Sequence, residues 1–162
     1  MKTLILFRHA KSSWENYSSD KEREILTIGK ERAIKSAIFL QRFLQKNSIS
    51  VDRFISSEAI RARQTAKITT EVFNTNFEVS NALYTFSVID LEKVIHSFSN
   101  DDNVIVIFGH NNAFTDFINK YGTVFIENLP TSGVAIIHFK INSWKNLVTG
   151  TTEFTIFPKL LP

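Results

Sequence analysis

The sequence contains no cysteine and no stretch rich in glycine or proline, and these absences exclude several classes of protein. Without cysteine the chain can form neither a disulfide framework nor a thiolate metal site, which fits a reducing compartment. No apolar run approaches the roughly 20 residues that span a bilayer, and the N-terminal apolar segment is too short for a secretory signal. We therefore expect a cytoplasmic protein without a membrane partner.

The sequence also lacks a large excess of either charge, since it has 19 basic and 16 acidic residues and a net charge of +3. The basic residues are interleaved with acids, as on an ordinary solvated surface. This pattern does not favour a nucleic-acid partner. It leaves open a narrower possibility, in which a few arginines converge on one anionic ligand.

The hydrophobic pattern predicts an α/β fold, and the absence of linkers and repeats predicts one domain over residues 1–162. Short apolar runs predict strands at 3–7, 51–56, 77–79, 104–108, 134–141 and 152–157. Helical spacing predicts helices at 27–46, 59–73, 88–98 and 112–120. The alternation indicates a mostly parallel sheet, whose last two strands pair antiparallel because no clear helix separates them.

Two finer predictions concern the first third of the chain. Residues 11–26 are polar and lack periodicity, so we expect a long loop, and loops of this length are often functional. In the helix that follows, we expect one apolar stripe to face the core. The stripe consists of Ile34, Ala37, Ile38 and Leu44.

Charged and titratable residues follow three of the predicted strands. Arg8 and His9 end the first strand, Arg61 lies in the first turn of the helix after the second strand, and His110 follows the strand at 104–108. Because parallel strands end at one edge of the sheet, these four side chains are expected to share a crevice.

Such a set suits phosphoryl transfer. A neutral imidazole can attack phosphorus, while guanidinium groups hold the phosphoryl oxygens. Arg8 and Arg61 near His9 would lower the pKa of the imidazole, since like charges disfavour the imidazolium form. His9 is therefore the candidate nucleophile.

These residues lie in segments that resemble the histidine phosphatase superfamily, in the branch of the SixA phosphohistidine phosphatases. The first segment is 6–14 (LFRHAKSSW), in which Ala10 stands where the superfamily commonly has glycine. The other segments are 20–29 (DKEREILTIG), 56–66 (SSEAIRARQTA), 108–111 (FGHN), 129–133 (LPTSG) and 157–160 (FPKL). The resemblance covers nearly the whole chain, with Glu24 and Glu58 replacing usual prolines.

The resemblance implies a three-layer α/β/α sandwich like that of phosphoglycerate mutase, without its lid insertions. It implies that His9 forms a phosphohistidine intermediate, and that Arg8, Arg61 and His110 bind the phosphoryl group. No metal or other cofactor is implied. Our candidate proton donor is Asp20, because the stretch that often supplies an acid, 80–85, contains none. Ser12 is a further candidate for phosphate binding.

The sequence leaves the substrate open. The resemblance favours a phosphohistidine on a signalling protein, such as a histidine phosphotransfer domain, and a small phosphorylated metabolite is the first alternative. A non-catalytic module that only binds phosphate is a second alternative, although such a module has no need of the His9 nucleophile. We take a monomer as the default.

Overall fold

The computed structural model describes residues 1–15 and 19–162, and in this part of the chain six strands form one sheet. The strands are β1 (Lys2–Arg8), β2 (Arg53–Ser57), β3 (Glu78–Ser80), β4 (Val104–Gly109), β5 (Val134–Phe139) and β6 (Thr151–Ile156). Their order is β3-β2-β4-β1-β5-β6. The four strands β3, β2, β4 and β1 are parallel, and β5 and β6 pair antiparallel, as predicted.

Helices cover both faces of the sheet and complete three layers. They are α1 (Thr27–Lys46), α2 (Ile60–Phe73), α3 (Val88–His96) and α4 (Ala113–Tyr121). Short 3₁₀ turns lie at Asp20–Glu22, Asn81–Leu83, Trp144–Asn146 and Pro158–Leu160. No helix in the described residues is long and apolar enough to cross a membrane.

Alternation along β1 divides the core into two halves. Leu4 and Leu6 point to the side of α3 and α4, whereas Ile5 and Phe7 point to the side of α1 and α2. All four side chains are fully buried, as expected for a central strand covered on both faces. This burial holds the end of β1, and therefore Arg8 and His9, in a rigid setting.

The predicted stripe of α1 is partly wrong. Ala37 and Leu44 are buried, but Ile34 and Ile38 are only half-buried. Ala33 and Leu40 take their places in the core. The buried face of α1 begins at Gly29, where the helix packs closely on the loop after β1, and this face is rotated away from Ile34 and Ile38. Its residues are Gly29, Ala33, Ser36, Ala37, Leu40 and Leu44.

The predicted loop at 11–26 contains more structure than its sequence indicated. Ser12 forms an antiparallel bridge with Ile25, and a 3₁₀ turn lies at Asp20–Glu22. Residues 16–18 of this prediction lie outside the described residues. The first turn of α1 packs so closely on the loop that a Cβ at Gly29 would collide with the Lys11 carbonyl. The loop is therefore held beside the carboxyl edge of the sheet.

Candidate active site

The two histidines expected at the strand ends lie side by side. β1 and β4 are neighbours with Arg8 opposite Gly109, so the residues that follow them, His9 and His110, come together. Their ring centroids are 5.3 Å apart, and their exposed fractions are 7% and 1%. With Arg8, Asp20 and Arg61 they form what we call the central pocket.

His9 is held through Nδ1, and its Nε2 has no hydrogen-bond partner in the part of the chain that the structure describes. Its Nδ1 lies 2.8 Å from the Ala10 carbonyl oxygen, and since a carbonyl only accepts, Nδ1 carries the proton. The Ala10 amide in turn donates to Thr65 Oγ1 on α2 at 2.8 Å. The neutral ring thus keeps its lone pair on Nε2, the nitrogen that a nucleophile needs.

His110 carries its ring proton on Nε2, whereas His9 carries its proton on Nδ1. The Nε2 of His110 lies 2.8 Å from Ser57 Oγ, and its Nδ1 lies 3.4 Å from an Nη of Arg61. A guanidinium group only donates, so Nδ1 accepts and Nε2 donates to the serine. The Nδ1 edge of His110 therefore faces the arginine.

Both imidazoles are neutral at physiological pH. Burial lowers the pKa of His9 well below its usual value, and the nearby His110, Arg61 and Arg8 lower it further, although the bond to Ala10 acts the other way. For His110, burial and then the charge of Arg61 lower the pKa to about 3. The sequence-based prediction of a lowered His9 pKa points in the same direction, with burial as the larger cause.

Each of the two arginines has one donor without a partner among the described residues. Arg61 is 2% exposed, and Arg8 donates from Nη1 to the Leu129 carbonyl at 2.8 Å. The Nε atoms of Arg8 and Arg61 are buried without a hydrogen-bond partner in the described residues. Buried donors without partners are rare and costly in folded proteins. Here they indicate that a ligand with acceptor oxygens belongs in the central pocket.

Asp20 accepts hydrogen bonds from the Arg61 guanidinium group. Its Oδ2 accepts from Arg61 at 2.8 Å and from the Tyr84 hydroxyl at 2.5 Å, and its Oδ1 accepts from Arg23 at 3.0 Å. Burial on its own would raise the pKa of Asp20, but the bonds from Tyr84, Arg61 and Arg23 outweigh it and hold the pKa below its usual range. The carboxylate is ionised in this state and has no proton to give.

Ser12 lies at the border of the central pocket. Its hydroxyl accepts a bond of 2.7 Å from Arg23, and the residue is 5% exposed. In this state Ser12 therefore positions Arg23. Its predicted contact with phosphate stays a prediction.

Sequence reasoning missed the partners that orient the pocket, namely Ser57, Thr65, Tyr84 and Phe86. The signal for Ser57 and Thr65 was present, since both lie in the segment at 56–66 that carries Arg61. The rings of Tyr84 and Phe86 each lie 5.3 Å from the His110 ring. They come from a loop whose path the sequence pattern does not reveal.

The described residues hold no cluster of three or more histidine, aspartate or glutamate side chains that could bind a metal ion. The other two histidines are remote from the pocket. His96 ends α3, and His138 contacts Thr3 and Glu153 near the opposite edge of the sheet.

Comparisons with known proteins agree with the fold. The chain is 28% identical over 154 residues to an uncharacterized chloroplastic protein of Arabidopsis thaliana, covering 88% of this chain and 68% of the relative. The protein histidine phosphatase SixA, solved in complex with tungstate, shares the fold with a TM-score of 0.78 at 17% identity, over 97% of both chains. A SixA protein from Agrobacterium tumefaciens gives 0.79 at 19% identity, over 97% of this chain and 98% of the other.

The family model that matches the chain is that of the histidine phosphatase superfamily, branch 1, over residues 4–98. The match includes Arg8, His9, Asp20 and Arg61 and spans more than half of the chain. This protein belongs to the histidine phosphatase superfamily.

Proposed function

We propose that the protein hydrolyses a phosphohistidine on another protein, through a covalent phosphohistidine intermediate on His9. The observation that carries the proposal is a neutral, buried His9 whose Nε2 has no hydrogen-bond partner among the described residues, next to Arg8 and Arg61, whose buried Nε atoms have none there either. A nucleophile and a cradle for a dianion thus lie together. The tungstate in the SixA complex supports the same class of ligand, since tungstate is a tetrahedral oxyanion like phosphate.

In the first step, the Nε2 lone pair of His9 forms a bond to phosphorus as the bond from phosphorus to the leaving nitrogen breaks. Arg8 and Arg61 bind the phosphoryl oxygens and stabilise the charge that builds up on them. The Nδ1 bond to the Ala10 carbonyl supports the reaction, because it stabilises the charge that His9 gains.

Substrate must first displace Asp20 from Arg61, because two guanidinium nitrogens donate to this residue, Nη1 to its backbone carbonyl oxygen and Nη2 to its Oδ2. After the exchange, Asp20 has lost a cation and faces a dianion. Both changes raise the pKa of its carboxyl, so the group can take up a proton from solvent. It can then donate this proton to the leaving group, which is the role predicted from the sequence.

His110 responds to the same exchange. Arg61 turns from His110 Nδ1 to the phosphoryl oxygens, and the dianion raises the low pKa of His110. The ring then takes up a proton from solvent on Nδ1 and donates a hydrogen bond from this nitrogen to a phosphoryl oxygen. In the second step, water attacks phosphorus, the bond to Nε2 breaks, Asp20 takes a proton from the water, and phosphate leaves.

The aromatic wall at Tyr84 and Phe86 supports an imidazole leaving group. The two rings lie edge to face, 5.4 Å apart, and Phe86 is 50% exposed beside His110. A flat imidazole can pack against such a ring, whereas an alkyl phosphate gains less from it.

The test measures phosphate release by wild type and His9→Ala from a phosphohistidine-bearing phosphotransfer protein, with an aryl phosphate alongside. We expect wild type to dephosphorylate the protein and His9→Ala to leave it intact. Cleavage of the aryl phosphate only would keep the chemistry and reassign the substrate to a small molecule. Release from neither substrate by wild type would contradict the proposal and favour a module that only binds phosphate.

A further inference from the structure

A groove of about 830 Å³ opens beside the central pocket and shares Arg8 with it. Its walls come from the loop after β1, the start of α1, the segment before β5 and the turn at Pro158–Leu160. A cavity of this size is large enough to bind a substantial part of a ligand. A substrate whose phosphoryl group is bound at His9 therefore has this groove directly next to it.

The lining of the groove is strongly cationic. It includes Arg8, Lys11, Arg23, Arg32 and Lys159, while Glu15 is the only carboxylate residue that lines it in the described part of the chain. We call this feature the cationic groove.

Three of these cations have no carboxylate partner among the described residues. Lys11, Arg32 and Lys159 take part in none of the ion pairs between described residues. No described carboxylate therefore lies within ion-pair distance of their charges. An anionic ligand in the groove would neutralise them.

The groove also has an apolar rim. Trp14, Leu26 and Leu160 line it with exposed fractions of 78%, 37% and 79%. The Trp14 ring stacks on the Arg23 guanidinium at 3.3 Å, which holds the indole in place against the groove. Cations and exposed apolar side chains therefore line the same groove, which suits a peptide segment of mixed side chains better than a compact small molecule.

We propose that the cationic groove binds an acidic segment of the phosphorylated protein. Carboxylates of this segment pair with Lys11, Arg32 and Lys159, and one of its apolar side chains packs against Trp14 and Leu160. The inference rests on the proposed function, since it takes the substrate to be a protein. The segment is close to the phosphohistidine in space, because Arg8 belongs to both the groove and the central pocket.

The experiment uses two phosphohistidine peptides of equal length, one with Asp and Glu flanking the phosphohistidine and one with Asn and Gln instead. The readout is the ratio of kcat/KM for the acidic over the neutral peptide, in which any general loss of activity cancels. Wild type is compared with Arg32→Gln/Lys159→Gln, with Lys11→Gln/Lys159→Gln as a second variant. Lys46→Gln/Lys145→Gln, at exposed positions away from the groove, makes the same change in net charge.

We expect wild type and the Lys46/Lys145 control to prefer the acidic peptide by about tenfold, and the groove variants to lose most of this preference. Added salt should weaken the preference, because the contacts are exposed. A ratio near one in wild type, or a ratio that the groove variants leave unchanged, would overturn the proposal.

Two further outcomes separate this inference from the proposed function. If wild type cleaves an aryl phosphate but neither peptide, the proposed substrate fails, and the acidic segment fails with it. If wild type instead prefers a hexose bisphosphate to a hexose monophosphate, and the groove variants abolish that preference while the peptides show none, the groove selects a second anion of a small molecule. That result would also overturn the proposal.

Discussion

The central pocket and the cationic groove lie side by side at one edge of the sheet, yet they differ in how their charges are satisfied. In the pocket, Arg61 is 2% exposed and is paired with Asp20 at 2.8 Å. In the groove, Lys11 and Lys159 are exposed and have no carboxylate partner among the described residues.

The difference assigns separate tasks to the two regions. Charges in a buried pocket interact strongly and are weakly screened, so they can set the protonation of His9 and His110 and stabilise a reacting phosphoryl group. Exposed charges are screened and act mainly on affinity and association. Changes in the pocket should therefore affect turnover, and changes in the groove should affect the choice of substrate.

The largest effect on the pocket side is expected from His9→Ala. Removing the nucleophile should lower kcat for an aryl phosphate by about 10³-fold or more, since covalent catalysis has no substitute there. His96→Ala, which removes a histidine at the end of α3, is the matched control and should retain activity. Substantial turnover by His9→Ala would place the nucleophile elsewhere. It would also contradict the assignment of turnover to the pocket and of substrate choice to the groove.

Arg61→Gln should lower kcat/KM by about 10² to 10³-fold, because it removes charge-assisted bonds to the phosphoryl oxygens in a buried site. Arg63→Gln provides the control on the same helix, since Arg63 is exposed and donates to the Glu58 carbonyl. The measurement is kcat/KM of both variants from steady-state kinetics at low and at high salt. Equal losses of kcat/KM in the two variants would show that the buried position of Arg61 is not the cause of its effect on catalysis.

Stability should depend on pH through His110. Its pKa is about 3 in the folded protein and near 6.5 when unfolded, so the unfolded chain binds the extra proton below pH 6.5. The free energy of unfolding should therefore decrease by about 2 kcal/mol between pH 7 and pH 5 from this residue. Denaturant unfolding at both pH values should show a smaller decrease in His110→Asn. An equal decrease in both proteins would mean that His110 is not held neutral by burial.

A smaller effect is expected from Asp20→Asn. The amide cannot form the ion pair with Arg61, so inorganic phosphate should compete for the pocket several-fold more strongly as a product inhibitor. The same variant should lose turnover most on substrates with poor leaving groups, because it has no proton to donate. Unchanged phosphate inhibition would contradict the exchange, and turnover independent of the leaving group would contradict the role as acid.

The parts of the site that follow from strands were predictable. Apolar runs that end at Arg8 and before His110 indicated two buried strands whose carboxyl ends lie at one edge of a parallel sheet. The structure adds that the two strands are neighbours, which brings the histidines together. Arg61 was predictable because it begins the helix after β2. These positions depend only on periodicity and sheet topology.

Features that depend on loops and on packing were not predictable. Tyr84 reaches Asp20 from a loop 64 residues away in sequence. The pairing of Asp20 with Arg61 similarly depends on the path of the loop after β1. In α1, the half-buried Ile34 and Ile38 were taken for core residues because periodicity locates an apolar stripe but does not fix its rotation toward the sheet.

In the proposed mechanism, His9 carries the phosphoryl group during turnover. The decisive measurement is rapid quenching of wild type with an aryl phosphate in alkali, where phosphohistidine survives, followed by mass spectrometry of the digested protein. We expect one added phosphoryl group on the peptide that contains His9, and none on that peptide in His9→Ala. A phosphoryl group found on another residue, or full turnover with no phosphoenzyme at any quench time, would contradict this mechanism.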